Sequence, residues 1–190
     1  MTARLASHNA NKLRELARVL DGWDLALLEA GEYPPEDGAT YLENARGKAE
    51  HGRSLAPDVW VLGEDSGIEV DGLGGAPGVL SARFGGEDPV GRLLAELAGV
   101  EGDGRRARYV CELVALSPEG REVRGTGIFE GRIAREARGS EGFGYDPIFV
   151  PAGEQLTVAE LGNDWKQDHS HRALAARDLA RALREAGRLG

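Results

Sequence analysis

Helical and strand-like segments alternate through the first half of this sequence. The short segment Arg4 to Ala6 leads into a polar loop, after which apolar residues recur at helical spacing from Leu13 to Leu20. Strands are predicted for Trp23 to Leu28 and for Val59 to Leu62, with a capped helix between them from Thr40 to about Arg53. This alternation predicts an α/β domain built around a mixed sheet.

The second half is predicted to hold a helix, a β-meander and a final helix. Asp88 and Pro89 form a good helix start. Polar and apolar residues then alternate, as in half-buried strands, in three segments: Arg108 to Leu116, Glu122 to Phe129 and Arg132 to Ala137. We expect a loop from Gly139 to Pro151 and a last helix from about Ser170 to Ala186.

The length and charge of the chain limit its organisation and its partners. A chain of 190 residues has the usual size of one domain, so we expect residues 1–190 to form a single domain. The formal net charge of −9 repels nucleic-acid polymers. A small phosphorylated ligand remains compatible, because a few local cations and a divalent metal ion reverse the field within one site.

Cysteine usage and apolar runs indicate the compartment. The single cysteine, Cys111, excludes an intrachain disulfide and a cysteine-based zinc site, which suits a reducing cytoplasm. The segment Met1 to Ala6 lacks the apolar core of a signal peptide, and no later apolar run approaches the roughly 20 residues that span a bilayer. We therefore expect a soluble cytoplasmic protein.

The loop Ser7 to Lys12 is the first candidate site. It lies between a predicted strand and helix, where N–H groups at the helix start and the Lys12 ammonium group can hold phosphate oxygens. The loop has no glycine and lacks the spacing of a Walker A motif. In isolation, an asparagine-rich turn that caps the helix is the favoured interpretation.

Carboxylates gather after the predicted third strand. Glu64 and Asp65 follow it and Glu36 lies in an earlier loop, and oxygen ligands of this kind suit Mg²⁺. Consecutive side chains on a strand point to opposite faces, so Glu64 and Asp65 share a site only if the strand ends there and the chain turns, as Ser66 and Gly67 permit. The alternative is a solvated acidic loop, but the flanking apolar strands favour function.

Two further segments suit a nucleotide base. Gly142 to Pro147 places two aromatic residues and a carboxylate on a glycine-rich backbone, although a plain turn explains them nearly as well. Lys166, His171 and Arg172 collect near the start of the last helix, where its dipole disfavours cations unless a ligand compensates. The simpler alternative is a surface His171 behind an N-cap at Ser170.

Together these residues resemble the non-canonical purine nucleoside triphosphate pyrophosphatases, also called the inosine triphosphatase or HAM1-like family. Six ordered blocks carry the resemblance: Ser7 to Glu15, Thr40 to Ala49, Asp65 to Asp71, Gly75 to Phe84, Gly142 to Phe149 and Ser170 to Arg172. The family hydrolyses ITP, dITP and XTP to the monophosphate and pyrophosphate. The resemblance implies an ITPase-like α/β fold, with a long curved mixed sheet flanked by helices in two lobes around a cleft, and a homodimer.

The resemblance also implies roles for individual residues. The triphosphate would be bound by Ser7, His8, Asn9, Ala10, Asn11 and Lys12. Mg²⁺ would be held by Glu36, Glu64 and Asp65, with Asp65 also the general base and Lys12 stabilising charge on the leaving pyrophosphate. The other substrate-binding positions would be Ser66, Phe143, Gly144, Tyr145, Asp146, Lys166, His171 and Arg172.

Base selectivity follows from the same resemblance. Phe143 would stack on the base, and Lys166 and Arg172 would donate to the 6-oxo group, where adenine instead presents an amino donor, at a penalty of roughly 1–3 kcal/mol. Two alternatives remain: a Maf-like pyrophosphatase acting on modified pyrimidine or methylated nucleotides, and a nucleotide-binding protein without turnover. A substrate panel separates them.

Overall fold

The computed structural model describes residues 1–188 and contains a six-stranded sheet with flanking helices. The strands are β1 (Thr2–Leu5), β2 (Asp24–Leu27), β3 (Trp60–Val70), β4 (Arg106–Leu116), β5 (Glu122–Ile133) and β6 (Phe149–Pro151). The helices are α1 (Ala10–Val19), α2 (Tyr41–Leu55), α3 (Pro89–Glu96), α4 (Val158–Leu161), α5 (Asn163–His169) and α6 (His171–Arg188). Within residues 1–188, every helix is too short or too polar to cross a bilayer.

The sheet is mixed, which confirms the predicted α/β fold class. Its strand order is β2-β1-β3-β4-β5-β6. Strand β1, next to the edge strand β2, pairs in parallel with β2 and with β3, whereas β5 and β6 are antiparallel. Parallel pairing of β1 with both neighbours requires a crossover helix each time, and α1 and α2 occupy these connections.

The caps that the sequence predicts at two helix starts are present. The Thr40 hydroxyl accepts from the Glu43 N–H, and the Glu43 carboxylate accepts from the Thr40 N–H, which completes the capping box of α2. Asp88 caps α3 by accepting from the Gly91 N–H at 2.8 Å. These are local interactions, so the sequence motif alone identified them.

The third strand continues past the point where we expected it to end. β3 runs without interruption from Trp60 to Val70, through Ser66 and Gly67. Ile68 and Val70 are fully buried, so the residues after the predicted turn have the same packing as those before it. The expectation that the chain turns after Asp65 is therefore wrong.

The meander also differs from the prediction. β5 is one strand that includes Arg132 and Ile133, which we assigned to a separate strand. Its antiparallel neighbour is β6, which lies inside the segment predicted as a loop and pairs Phe149 with Ile133. The three buried residues of β6 are too few to show the period of two that identifies a strand, so the sequence pattern missed β6. It also missed the helices α4 and α5, which have four and seven residues and are too short to show a helical period clearly.

The chain divides into two compact units. The first unit contains Met1–Asp65, Cys111–Gly127 and the chain from His171 on. Its core consists of buried leucines and alanines: Ala3, Leu5, Leu16, Leu20, Leu62, Leu113, Ala115, Ala175, Ala176 and Leu179. Two glycines let helices approach strands of this unit closely, because a Cβ at Gly63 would lie 2.0 Å from the Ala45 carbonyl oxygen and one at Gly127 would lie 1.9 Å from that of His171.

The second unit contains Ser66–Val110 and Ile128–Ser170 and has a more aromatic core. The ring of Phe149 lies 4.7 Å from that of Tyr109 and 5.3 Å from that of Phe129, measured between centroids. Such tilted ring pairs add to the energy of burial. Because β3, β4 and β5 each contribute residues to both units, we propose that residues 1–190 fold as one domain.

Candidate functional site

The carboxylates of Glu36 and Asp65 share one cation, the ammonium group of Lys48. Lys48 forms an ion pair with Glu36, lies 3.3 Å from Asp65 Oδ1 and donates to the backbone oxygen of Glu64 at 2.9 Å. Asn44 Nδ2 donates to the other oxygen, Asp65 Oδ2, at 2.9 Å. Asn44 and Lys48 lie four residues apart on α2, so both project from the same helix face towards Asp65.

Burial controls the protonation of this group of side chains. Removal from water raises the pKa of the Asp65 carboxyl above its ordinary value, although Lys48 and the hydrogen bond from Asn44 act in the opposite direction. For Lys48, burial alone would lower the pKa, but the surrounding carboxylates outweigh it and keep the ammonium group charged. Asp65 is therefore an oriented carboxylate with a stronger affinity for a proton than an exposed aspartate has.

Glu64 has a separate set of partners. Its side chain is fully buried; Lys12 Nζ lies 2.5 Å from one carboxylate oxygen, and Arg172 Nε donates to the other at 2.9 Å. The thiol of Cys111 lies 3.5 Å from the same oxygen that Arg172 contacts. Burial opposes ionisation of Glu64, but the charges of Lys12 and Arg172 prevail and hold the pKa of this carboxyl well below its ordinary value.

The two neighbouring carboxylates point to opposite faces of the sheet. Leu62 and Glu64 face the core that includes α1 and α6, whereas Gly63 and Asp65 face α2. This arrangement follows from the continuation of β3, since alternate residues of a strand face opposite sides. Of the three predicted metal ligands, the structure brings together Glu36 and Asp65 and directs the Glu64 carboxylate elsewhere.

Two carboxylates fit a divalent cation less completely than three. Among residues 1–188, no group of three or more histidine, cysteine, aspartate or glutamate side chains is arranged to hold a metal ion. Glu36 and Asp65 nonetheless direct their carboxylate oxygens at one positive charge, the ammonium group of Lys48. Oxygen atoms of this kind are the ligands that Mg²⁺ prefers. Glu36 also borders a cavity of about 290 Å³, together with Asn44 and Lys48, the two residues that contact Asp65. The cavity is lined by Pro34, Pro35, Glu36, Asp37, Gly38, Glu43, Asn44, Gly47 and Lys48.

The predicted phosphate loop caps α1. Asn9 Oδ1 accepts from the N–H groups of Asn11 and Lys12 at 2.9 and 3.4 Å, and the Ser7 hydroxyl accepts from the Asn9 N–H at 3.1 Å. The capping turn that the sequence favoured is thus present. His8 and Ala10 are exposed, and the His8 ring packs edge-on against Tyr33, with 4.7 Å between the ring centroids.

The residues predicted to contact a base in the second unit form one cluster. Lys166 Nζ donates to Asp146 Oδ2 at 2.7 Å and lies 3.9 Å from the ring centroid of Phe143. Asp146 also accepts from the Phe143 N–H at 2.8 Å. Together with the bond from Lys166, this contact holds the loop against α5. The Lys166–Asp146 pair is buried, whereas Phe143 is only half-buried. A cation near an aromatic ring is a polar arrangement suited to a flat ligand.

The neighbouring predicted residues have different environments. The Tyr145 hydroxyl donates to the Ser81 carbonyl oxygen at 2.9 Å, and burial raises the pKa of Tyr145 to about 12. Tyr145 therefore supports the loop as a neutral side chain. Gly144 is exposed and Ser66 is half-buried on β3.

Arg172 and His171 begin α6 in the first unit. Both are buried, and Arg172 joins two carboxylates by donating to Glu64 at 2.9 Å and to Glu15 at 3.0 Å. We predicted Arg172 as a donor to the 6-oxo group of a base. In the structure its guanidinium group links α6 to β3 and α1, and its role as a donor to a base stays a prediction.

Sequence reasoning gave no role to Asn44, Lys48, Glu15 or Cys111. The first two were visible only as part of the block Thr40 to Ala49, where their spacing of four residues places them on one helix face. Glu15 was likewise visible only as part of the block Ser7 to Glu15. Cys111 had no local signal of its contact, because it lies 47 residues from Glu64 in the sequence.

Comparison with known proteins identifies the family of this chain. Residues 3–182 match the model of the Ham1 family. The dITP/XTP pyrophosphatase of Bacillus subtilis is 43% identical, with 95% of this chain and 96% of that protein covered. The dITP/XTP pyrophosphatase of Bdellovibrio bacteriovorus is 39% identical, with 94% and 96% covered.

Solved structures of the same family resemble this fold. The HAM1 protein of Coxiella burnetii superposes with a TM-score of 0.85 at 32% identity, and the match covers 97% of this chain and 99% of that one. The nucleoside-triphosphatase / dITP/XTP pyrophosphatase of Mycobacterium abscessus gives a TM-score of 0.75 at 40% identity, with 98% of each chain covered. These matches extend over nearly the whole chain, and the protein therefore belongs to the Ham1 family.

Proposed function

We propose that this protein hydrolyses the deaminated purine nucleotides dITP, XTP and ITP to the monophosphate and pyrophosphate. The observation that carries the proposal is the buried Asp65 carboxylate, which Asn44 and Lys48 orient opposite Glu36 beside a cavity. The names of the relatives, which are 39% and 43% identical, support the same substrates.

Asp65 is proposed as the general base. Its raised pKa favours acceptance of a proton from a water molecule that attacks the α-phosphorus, and its two fixed oxygens orient that water. Asn44 and Lys48 hold the Asp65 carboxylate in one orientation. The general base is therefore already in position before the substrate binds.

Glu36 and Asp65 are the residues that would hold Mg²⁺. The metal ion would supply positive charge to the phosphate oxygens. In this structure the Lys48 ammonium group supplies the positive charge that the two carboxylates share. The part of Glu64 as a third ligand stays a prediction, because its carboxylate would first have to leave Lys12 and Arg172.

The loop from Ser7 to Lys12 is proposed to bind the triphosphate. Lys12 uses one of its N–H groups on Glu64 and is partly exposed, with a side-chain accessibility of 17%, so other N–H groups remain for a phosphate oxygen. In this role Glu64 positions Lys12. The remaining loop residues, His8, Asn9, Ala10 and Asn11, would contribute side-chain and backbone donors at the start of α1.

The base is proposed to be recognised by the cluster around Phe143. Its half-exposed ring would stack on a purine, and Lys166, fixed by Asp146, would donate to a 6-oxo group. Ser66, Gly144, Tyr145 and His171 are proposed as further substrate-binding positions. Arg172 is proposed to act through Glu64 as well as on the base.

Pyrophosphate release across a nucleotide panel tests the proposal. Purified protein with Mg²⁺ is expected to act on ITP, dITP and XTP, and far more slowly on ATP, GTP, dTTP, UTP and 7-methyl-GTP. Equal or faster hydrolysis of the pyrimidine or methylated nucleotides would favour a Maf-like activity. If no nucleotide releases pyrophosphate, the protein would be interpreted as a nucleotide-binding protein without turnover.

A variant pair tests the general base. Asp65→Asn is expected to abolish turnover while nucleotide affinity stays within a few-fold of that of the original protein, because the amide keeps the shape of the side chain but cannot accept the proton. Asp71→Asn, on an exposed turn of the same acidic segment, is the matched control and should retain turnover. Near-normal activity of Asp65→Asn would refute the assignment.

A homodimer and a cytoplasmic location complete the proposal. The dimer follows from resemblance to the family, and the compartment from the single cysteine, Cys111, which is a free and buried thiol. Light scattering after size exclusion is expected to give twice the mass of the 20.3 kDa chain.

A further inference from the structure

A cavity of about 370 Å³ in the second unit is lined by several arginines. Arg105 comes from the turn before β4, Arg132 from the end of β5, and Arg135 and Arg138 from the segment that follows β5. The acidic residues that line the same cavity are Glu101 and Glu136. The cavity thus has an excess of positive charge in a chain whose formal net charge is −9.

Arg105 holds its guanidinium group in a fixed position. Its Nε donates to the Val100 carbonyl oxygen at 2.9 Å, and its Nη atoms donate to the carbonyl oxygens of Ala134 and Leu97 at 2.9 and 3.1 Å. These acceptors are neutral, so they orient the group without cancelling its charge. The wall of the cavity therefore has a rigid cation that no carboxylate of residues 1–188 neutralises.

The other arginines are weakly engaged. Arg132 is exposed and has no ion-pair partner within residues 1–188. Arg135 pairs with Glu101, but their side chains are 70% and 60% exposed. Arg138 Nη2 donates to the neutral Gln155 carbonyl oxygen at 3.2 Å, whereas its Nε lies 3.6 Å from Glu160 Oε2, beyond hydrogen-bond distance. The exposed pair of Arg135 and Glu101 contributes little free energy, so an incoming anion can replace Glu101 as the partner of Arg135.

We propose that this cavity binds a phosphate-bearing anion: free phosphate, pyrophosphate or the phosphate group of a nucleotide. Guanidinium groups form paired hydrogen bonds with phosphate oxygens, and four of them around one space give a polyanion several such contacts. The volume lies at the small end of the range of ligand pockets, roughly 300–1,000 Å³. None of these arginines belongs to the proposed catalytic residues, so the site is a second one.

The test uses inorganic pyrophosphate in the absence of divalent metal ions. In ¹⁵N–¹H correlation spectra of the full chain, pyrophosphate is expected to shift the amide signals of residues 132–136. The double variant R132Q/R135Q should weaken binding at these signals at least tenfold. R92Q removes another exposed arginine of the second unit, one that pairs with Glu96 outside the cavity, and should bind as the original protein does.

Two further titrations identify the source of the phosphate, and a single variant serves as a control if the double variant does not fold. Titration with orthophosphate and with inosine monophosphate ranks the three sources at the same signals. R135Q alone changes a side chain that is 70% exposed, so it keeps the test valid if the double variant fails to fold. The proposal is overturned if no anion shifts the signals of residues 132–136, or if R132Q/R135Q and R92Q bind alike. Nucleotide turnover is expected to be the same in all these variants.

Discussion

The substitution Arg172→Met tests the buried ionic network most directly. It replaces the guanidinium group with an apolar chain and removes the hydrogen bonds to Glu64 and to Glu15. The Glu64 side chain is 0% exposed, so water cannot take the place of the lost donor. Lys12 and the Cys111 thiol would still contact the Glu64 carboxylate.

The magnitude follows from the geometry. Removal of one partner from a buried ion pair costs about 3–5 kcal/mol of unfolding free energy. An independent count of two hydrogen bonds to charged groups, at about 1.5–3 kcal/mol each, gives a similar range. Because Lys12 remains beside Glu64, we expect about 3 kcal/mol, which for a chain of this length lowers the Tm by roughly 6–12 °C.

Urea unfolding at pH 7, followed by circular dichroism, measures this loss. Arg181→Met is the matched control, because Arg181 lies on the same helix and pairs with Asp178 and Glu185, but its side chain is 59% exposed. Its loss should not exceed about 1 kcal/mol. If Arg172→Met costs no more than Arg181→Met, the network does not stabilise the fold and the reasoning is wrong.

The remaining predictions concern packing and pH. Gly63→Ala should destabilise the protein by about 1–3 kcal/mol or more, because its Cβ would lie 2.0 Å from the Ala45 carbonyl oxygen; a Tm equal to that of the original protein would contradict this contact. The hydrogen bond from Arg46 lowers the pKa of Glu122 from 4.5 to about 2, so the stability from this pair is complete above pH 4.5 and is lost as the pH falls towards 2. Urea midpoints measured between pH 5 and 2 should fall less steeply in Glu122→Gln, and identical pH profiles would refute the assignment.

Some features of the candidate site were visible in the sequence because neighbouring residues create them. The loop before α1 was correctly interpreted as a capping turn, since a side chain and the N–H groups two and three residues later suffice to form it. The capping box at Thr40 has the same origin. The ordered blocks that resemble the family identified the fold class and the family, because each block is a short run of residues.

Contacts between distant segments were not visible. Arg172 meets Glu64 across 108 residues and Glu15 across 157, and nothing in the sequence specifies such partners. The role expected for Arg172 rested on resemblance alone. A hydrogen bond between remote residues depends on where whole helices and strands lie, and this information is absent from local spacing.

The sequence by itself determined the α/β class, the helix caps and the presence of Glu36, Glu64 and Asp65 among apolar segments, because periodicity and capping are properties of short stretches. The tertiary structure decided how those carboxylates are used. β3 continues to Val70 because Ile68 and Val70 are buried, and this continuation places Glu64 and Asp65 on opposite faces of the sheet. One carboxylate thereby joins Lys12 and Arg172, and the other joins Lys48 and Glu36, since burial in the folded chain, and not sequence proximity, selects the partners of a charge.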